Sequence, residues 1–231
     1  MPAPERGVVR FEVCEDAEGA AQVAARLLAE AAEAGGDVAL SGGSTPGRAY
    51  ELAAAADWSR ARVWWNDERC VPPGDERSNY RLAQETLLDR LAAPPEVLRI
   101  RGELPPEQAA DEYDRALEGV VLDLTLQGLG PDGHTSSLFP GFPTVEERAR
   151  RAVATPAGLE PFVDRVTMTI PVLNAARVVC FLVNGADKAE IAARAFGGAA
   201  DPAIPASLVR SSDGETVVVL DRAAASALDT T

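Results

Sequence analysis

The run RVVCFLVNG, residues 177–185, is apolar almost without a break and only as long as a strand. A strand with no polar alternation has no face to offer to water, so it belongs inside a sheet covered on both sides. The rest of the chain supplies such a cover. DAEGAAQVAARLLAEAAEAGG reads as a helix, with Val23, Ala24, Leu27, Leu28 and Ala31 on one apolar face, Asp16 as its cap and Gly35-Gly36 at its end. DVALS and RVWWN read as strands, each followed by a polar segment. Ser78 caps a helix over NYRLAQETLLDRL; VLRI is a short strand and EQAADEYDRALEG a helix. VLDLTLQ and RVTMTIP alternate and predict half-buried strands, while Thr144 and Glu147 have the spacing of a capping box. ADKAEIAARAFGG is helical and ETVVVLD a last strand. Strands alternating with helices predict an α/β, Rossmann-like fold: a mainly parallel sheet with helices on both faces.

Nothing in the 231 residues marks a boundary: no repeat, no low-complexity linker, no shift in composition. With 46% hydrophobic residues the chain can bury one sizeable core, and a single domain over 1–231 is expected. The net charge of −14 repels duplex nucleic acid and anionic membranes, so neither is an expected partner. No apolar stretch has the length of a membrane span, and MPAPERGVVR has no apolar signal core, which predicts a cytoplasmic protein. Cys14, Cys70 and Cys180 form no CxxC pair and, each beside apolar residues, read as reduced, buried thiols. One histidine and no cysteine cluster argue against a zinc or iron site.

In parallel sheets ligands bind at the carboxyl ends of the strands. Four polar segments follow strand ends here. SGGSTPG, residues 41–47, is a glycine turn into a helix: Gly42 and Gly43 let a ligand approach the backbone, Ser44 and Thr45 offer hydroxyls, and helix-start amides favour a phosphate. It is neither a Walker A loop nor GxGxxG, so a nucleotide is not indicated; the plain alternative is that Thr45 only caps the helix. NDER, residues 66–69, puts Asp67 and Arg69 where they can take hydroxyls and an anion, or simply pair with each other locally. Arg77 repeats the pattern in a loop that reads as exposed. GLGPDGHTSSLFPG holds the only histidine, His134, two residues after Asp132. An imidazole takes a proton from water near neutral pH, Gly133 leaves room beside it, and turn amides stabilise an oxyanion. No GxSxG elbow is present to support a serine triad. NGADK sets Lys188, the single lysine among 22 basic residues, at the start of a helix, where the dipole disfavours a cation unless an anion is bound.

Taken in order and spacing, SGGSTP, NDERCVP…SNY, GLGPDGHTSSLFPG and NGADK resemble the 6-phosphogluconolactonases of the glucosamine-6-phosphate isomerase superfamily, over about residues 10–220. The resemblance implies hydrolysis of 6-phosphogluconolactone in the oxidative pentose phosphate pathway, without metal or cofactor. By position it implies His134 as the base with Asp132 beside it, Ser44 and Thr45 near the substrate, Asp67, Glu68 and Arg69 as the DER motif, and Lys188 at the phosphate. Three places depart from the common pattern: Gln127 stands where many relatives are apolar, Pro131 where many have Glu, which removes one loop amide, and Pro73-Gly74-Asp75 where some members have a histidine. The partner expected is a small sugar-phosphate lactone, bound by a monomer or, alternatively, a dimer. The rivals are a glucosamine-6-phosphate deaminase, whose loop continues Asn-Glu-Pro where this chain has SSLFPG, and a sugar-phosphate sensor, for which no basic helix-turn-helix segment is visible.

Overall fold

The computed structural model describes residues 9–228. The stretch read for a signal core therefore falls, over residues 1–8, outside the described residues. Seven strands make one parallel sheet: β1 (Val9–Cys14), β2 (Asp37–Leu40), β3 (Arg62–Trp65), β5 (Glu96–Leu98), β6 (Leu124–Gln127), β9 (Val178–Val183) and β10 (Glu215–Asp221), in the order β1-β10-β9-β6-β2-β3-β5. From β2 the chain winds outward to β3 and β5; from β6 it winds the other way to β9 and β10. Right-handed crossovers in opposite directions put their helices on opposite faces. The α/β expectation holds.

The helices are α1 (Ala17–Glu33), α2 (Gly47–Ala53), α3 (Asn79–Thr86), α4 (Pro106–Ala116), α5 (Ile170–Asn174), α6 (Ala189–Phe196) and α7 (Arg222–Ala225). Asp16 caps α1 by accepting from the Gly19 amide, and Ser78 caps α3 by accepting from that of Arg81. The fully buried residues of α1 are mostly alanines, with Leu28, so the helix lies close on the sheet; Val23, Leu27 and Ala31 pack at the margin of this face and are only partly buried. Among the described residues no helix is long and apolar enough to cross a membrane.

Four expectations change: of the cysteines expected to be buried only Cys180 is, Cys14 and Cys70 being partly exposed, and three further changes concern strands and caps. The DER segment is a strand, not a polar loop: β4 (Asp67–Arg69) pairs antiparallel with β8 (Arg165–Met168), and β8 with β7 (Ala152–Thr155), giving a second, three-stranded sheet. A three-residue strand made wholly of charged residues leaves no periodicity to read. Both alternating strands are buried on both faces, β6 at all four residues and β8 likewise; polar Thr125, Gln127 and Thr167 are buried because they hydrogen-bond inside the protein. The capping box does not form: Thr144 lies in a 3₁₀ turn, its hydroxyl unpartnered, while Glu147 accepts from the amides of Ala149 and Arg150.

Only Asn66 separates β3 from β4. Its amide donates to Leu40 O (2.9 Å) and its carbonyl accepts from Met168 N (2.7 Å), so it bonds to both sheets. Its side chain is fixed by Leu126 O at 2.5 Å and the Thr125 hydroxyl at 2.7 Å. The small sheet is thereby held against the carboxyl ends of the large one.

Candidate active site

Adjacent β2 and β6 are the strands from which the chain winds in opposite directions. A crevice opens at the carboxyl ends of such a pair, because their following loops diverge. A cavity of about 220 Å³ lies there. Its walls come from the turn after β2, the loop after β6, the start of α6, and the two short strands β4 and β8.

The loop after β6 carries His134. Its Nδ1 lies 2.5 Å from Asp132 Oδ1, and its backbone amide donates to the same oxygen at 3.1 Å. A carboxylate can only accept, so Nδ1 carries the hydrogen and Nε2 is left as the basic nitrogen. Burial pushes the Asp132 carboxyl up, but the hydrogen bond and charge of His134 outweigh it and hold the group below its ordinary value. The ring packs on Phe139 with centroids 4.9 Å apart. Gly130 makes this placement possible: a Cβ there would lie 2.0 Å from Nδ1.

A buried polar ladder supports the loop from below. Gln127 Nε2 donates to the Thr125 hydroxyl (2.8 Å), and Gln127 Oε1 accepts from the hydroxyls of Thr135 (2.7 Å) and Ser136 (2.8 Å). Ser136 is held at φ 51°, the one non-glycine residue in the left-handed region among the described residues. No acceptor within the chain meets its amide among the described residues, and Ser136 lines the cavity beside His134.

The other side of the cavity is cationic. Arg69 on β4 stands directly opposite Arg165 on β8 in the antiparallel register, and both line the cavity. Like charges directly opposite each other repel. Among the described residues neither guanidinium has a carboxylate at ion-pair distance. Arg69 Nη1 donates to Arg77 O at 2.6 Å, while its Nε is buried without a partner. Arg165, only 4% exposed, donates to the carbonyls of Val163, Leu159 and Pro161. Burial pushes its guanidinium down from the ordinary value; Asp67 opposes this and Arg69 adds to it. Lys188 ends a 3₁₀ turn, Ala186–Lys188, and caps α6; its Nζ comes no closer than 4.0 Å to the exposed Asp187. Two guanidiniums without a carboxylate partner, and an ammonium held only loosely by the exposed Asp187, form a place for an anion around one cavity.

The structure brings Gly42, Gly43, Ser44, Thr45, Asp67, Arg69, His134 and Lys188 to this cavity. Thr45 is not the cap of α2: that position is Pro46, and no side chain caps the helix. Among the described residues the amides of residues 42–45 meet no acceptor within the chain. Asp67 and Arg69 do not pair with each other. Asp67 accepts from Ser137 Oγ (2.6 Å) and Asn79 Nδ2 (3.1 Å) instead. Glu68 turns inward, accepting from the amides of Arg69, Asn79 and Tyr80 and the Ser78 hydroxyl; burial nevertheless holds its carboxyl above the ordinary value. Arg77 is paired with Asp75 and lies off the cavity wall. The expectation at Gly133 is corrected. Its amide donates to Gly130 O (3.0 Å), and the space for a Cβ is filled by Ile204 and Ile191, so neither room nor amide is left for a ligand. Sequence reading missed Arg165 and gave Asn79 no role beyond its place in the SNY motif. Arg165 sits in an alternating segment that showed only a strand, and Asn79 looked like an ordinary helix start. Among the described residues no three His, Cys, Asp or Glu side chains cluster to hold a metal ion.

The family described as glucosamine-6-phosphate isomerases/6-phosphogluconolactonase matches residues 15–218. The chain belongs to this family. Within it, the human 6-phosphogluconolactonase is 38% identical, covering 97% of this chain and 95% of the human protein. The 6-phosphogluconolactonase of Bos taurus is 39% identical over 88% of this chain and 84% of its own. Among solved structures, the 6-phosphogluconolactonase from Thermotoga maritima superposes with a TM-score of 0.83 at 29% identity, covering 93% of this chain and all of that one. The enzyme from Trypanosoma brucei gives 0.84 at 26% identity, covering 97% and 99%. A monomeric glucosamine-6-phosphate deaminase gives 0.84 at 20% identity and covers 94% and 99%, a likeness of fold alone.

Proposed function

We propose that the chain is a 6-phosphogluconolactonase, opening 6-phospho-D-glucono-1,5-lactone to 6-phospho-D-gluconate with water activated by His134. The single observation carrying this reading is that the Asp132-backed imidazole and a group of cations, two of them guanidiniums without carboxylate partners, face one small cavity. Such a cavity suits a molecule with an ester at one end and a phosphate at the other.

Arg69, Arg165 and Lys188 bind the phosphate, with the amides and hydroxyls of the Ser44-Thr45 turn. That contact fixes the ester carbon near His134. Nε2 takes a proton from water as the water oxygen bonds to the carbonyl carbon. The carbonyl electrons move onto oxygen, and the Ser136 amide, not that of Gly133, stabilises the oxyanion. Asp132 stabilises the imidazolium formed. The oxyanion collapses, the bond to the ring oxygen breaks, and Nε2 returns its proton to that oxygen. No step is assigned to a metal. General base catalysis of this kind contributes about 10²–10⁴-fold.

The test is hydrolysis of freshly generated 6-phosphogluconolactone by the purified protein, with spontaneous opening subtracted. Wild type is expected to accelerate opening, and His134→Ala to lose about 10²-fold or more with unchanged circular dichroism. Absence of acceleration, or ammonia release from glucosamine 6-phosphate instead, overturns the reading.

A further inference from the structure

Asn79 begins α3, and its backbone amide donates to Glu68 Oε1 at 2.8 Å. Its side-chain Nδ2 donates to Asp67 O at 2.9 Å and to Asp67 Oδ1 at 3.1 Å. Two acceptors on Asp67 fix which way the amide faces, because the flipped arrangement would set oxygen against oxygen. Asn79 Oδ1 therefore points away from Asp67. The residue is 1% exposed, Oδ1 is buried, and no donor of the chain meets it among the described residues. The atom stands against Gly42, where a Cβ would lie 1.7 Å from it; Asn79, Gly42 and Asp67 all line the cavity.

A buried amide oxygen without a donor is uncommon, and at a cavity wall it marks where a ligand hydrogen belongs. Resting on the function proposed above, we infer that Asn79 Oδ1 accepts a hydrogen bond from a hydroxyl of the sugar ring and so determines specificity among phosphorylated lactones. An amide oxygen accepts only. It takes a hydroxyl and refuses a phosphate oxygen or a carbonyl. With the Asp67 carboxylate beside it, this wall turns the anionic end of the substrate towards the guanidiniums and keeps the hydroxyl-bearing ring against itself. The cradle at Gly42 gives that glycine a second task besides exposing the turn.

The experiment compares kcat/KM for the full 6-phospholactone with that for analogues lacking one ring hydroxyl each. Wild type is expected to disfavour one analogue by about tenfold or more, because the site is then left with an unpaired polar group. In Asn79→Ala the full lactone loses more than that analogue does, and the discrimination vanishes. Asn79→Ala also strips a donor from Asp67, so Gly42→Ala serves as a second variant: its methyl displaces Oδ1 and is expected to erase the same discrimination. An equal loss on every lactone, or discrimination that survives both variants, overturns the inference. The same comparison is made by titration calorimetry with 1,5-anhydroglucitol 6-phosphate and its deoxy counterparts, which need no turnover. A wild type that hydrolyses no lactone then counts against the proposed reaction alone, while equal binding preferences in wild type and variants count against Asn79.

Discussion

Replacing Asp132 by Asn keeps the size of the side chain and an oxygen to accept from His134 Nδ1, so the ring stays where it is. What is lost is the negative charge behind the imidazolium. Nδ1 and Oδ1 are 2.5 Å apart, which puts the centres of the two charges roughly 4 Å apart; at an effective dielectric constant of 20 they attract by about 4 kcal/mol. The carboxylate is 34% exposed and the ring 21%, so solvent screens part of this, and about 2 kcal/mol is a fair remainder. At 1.36 kcal/mol per decade this is roughly a 30-fold loss in kcat. KM should hardly move, because the proposed phosphate contacts lie elsewhere and the charge matters only once the proton has moved. Initial rates on freshly made lactone, corrected for spontaneous opening, read both constants. A kcat within about threefold of wild type, with a matched melting temperature, would refute the claim that the carboxylate acts on the transition state.

Asp132 also carries a pH signature. Its carboxyl is depressed in the folded state, so its contribution to stability is complete above the ordinary carboxylate value and is lost as pH falls through the folded one. The gap in urea midpoint between wild type and Asp132→Asn should be full above about pH 5 and close on acidification below about pH 4; a gap that widens there contradicts this. Gly130→Ala places a methyl 2.0 Å from Nδ1 and should abolish activity as thoroughly as His134→Ala, with circular dichroism preserved; ordinary rates would mean the ring has another productive position. Arg165→Met removes a charge-assisted contact of about 1.5–3 kcal/mol, and KM for the phosphorylated lactone should rise by about 10–150-fold while that for gluconolactone stays put; equal effects on both would remove Arg165 from the anion site. Gln127→Leu strands the Thr135 and Ser136 hydroxyls and should cost about 1–3 kcal/mol in urea unfolding, with kcat falling more than KM rises as Ser136 relaxes; an unchanged kcat would separate the ladder from catalysis.

The parallel sheet was legible because apolar runs such as residues 178–183 and 216–220 leave a strand no other place. The polar turns after β2, β6 and β9 were legible for a related reason: in this topology strand ends are where ligands go, and those turns carry hydroxyls, a histidine and a lysine in contexts where such side chains do little for folding. Arg165 was hidden because nothing local distinguishes it. Its meaning comes from lying across a ladder from Arg69, nearly a hundred residues away, and sequence spacing does not report cross-strand register. Gly133 misled for the opposite reason. The sequence shows that a glycine is needed, and only the packing of Ile204 and Ile191 shows that the need is steric support of the loop and not access for a ligand. Gln127 read as a polar face of a half-buried strand, because a side chain that satisfies all its bonds internally looks, in one dimension, like one that meets water.

Arg69 and Arg165 ride on three- and four-residue strands at the rim, joined to the main sheet through Asn66, while the loop that carries His134 grows from the centre. In the proposed reaction, grip and chemistry thus fall to separate pieces of chain. A frame divided this way can be refitted for a different reaction at the far end of the same sugar by rewriting the central loop, leaving the handle untouched, or given a new handle without disturbing the chemistry.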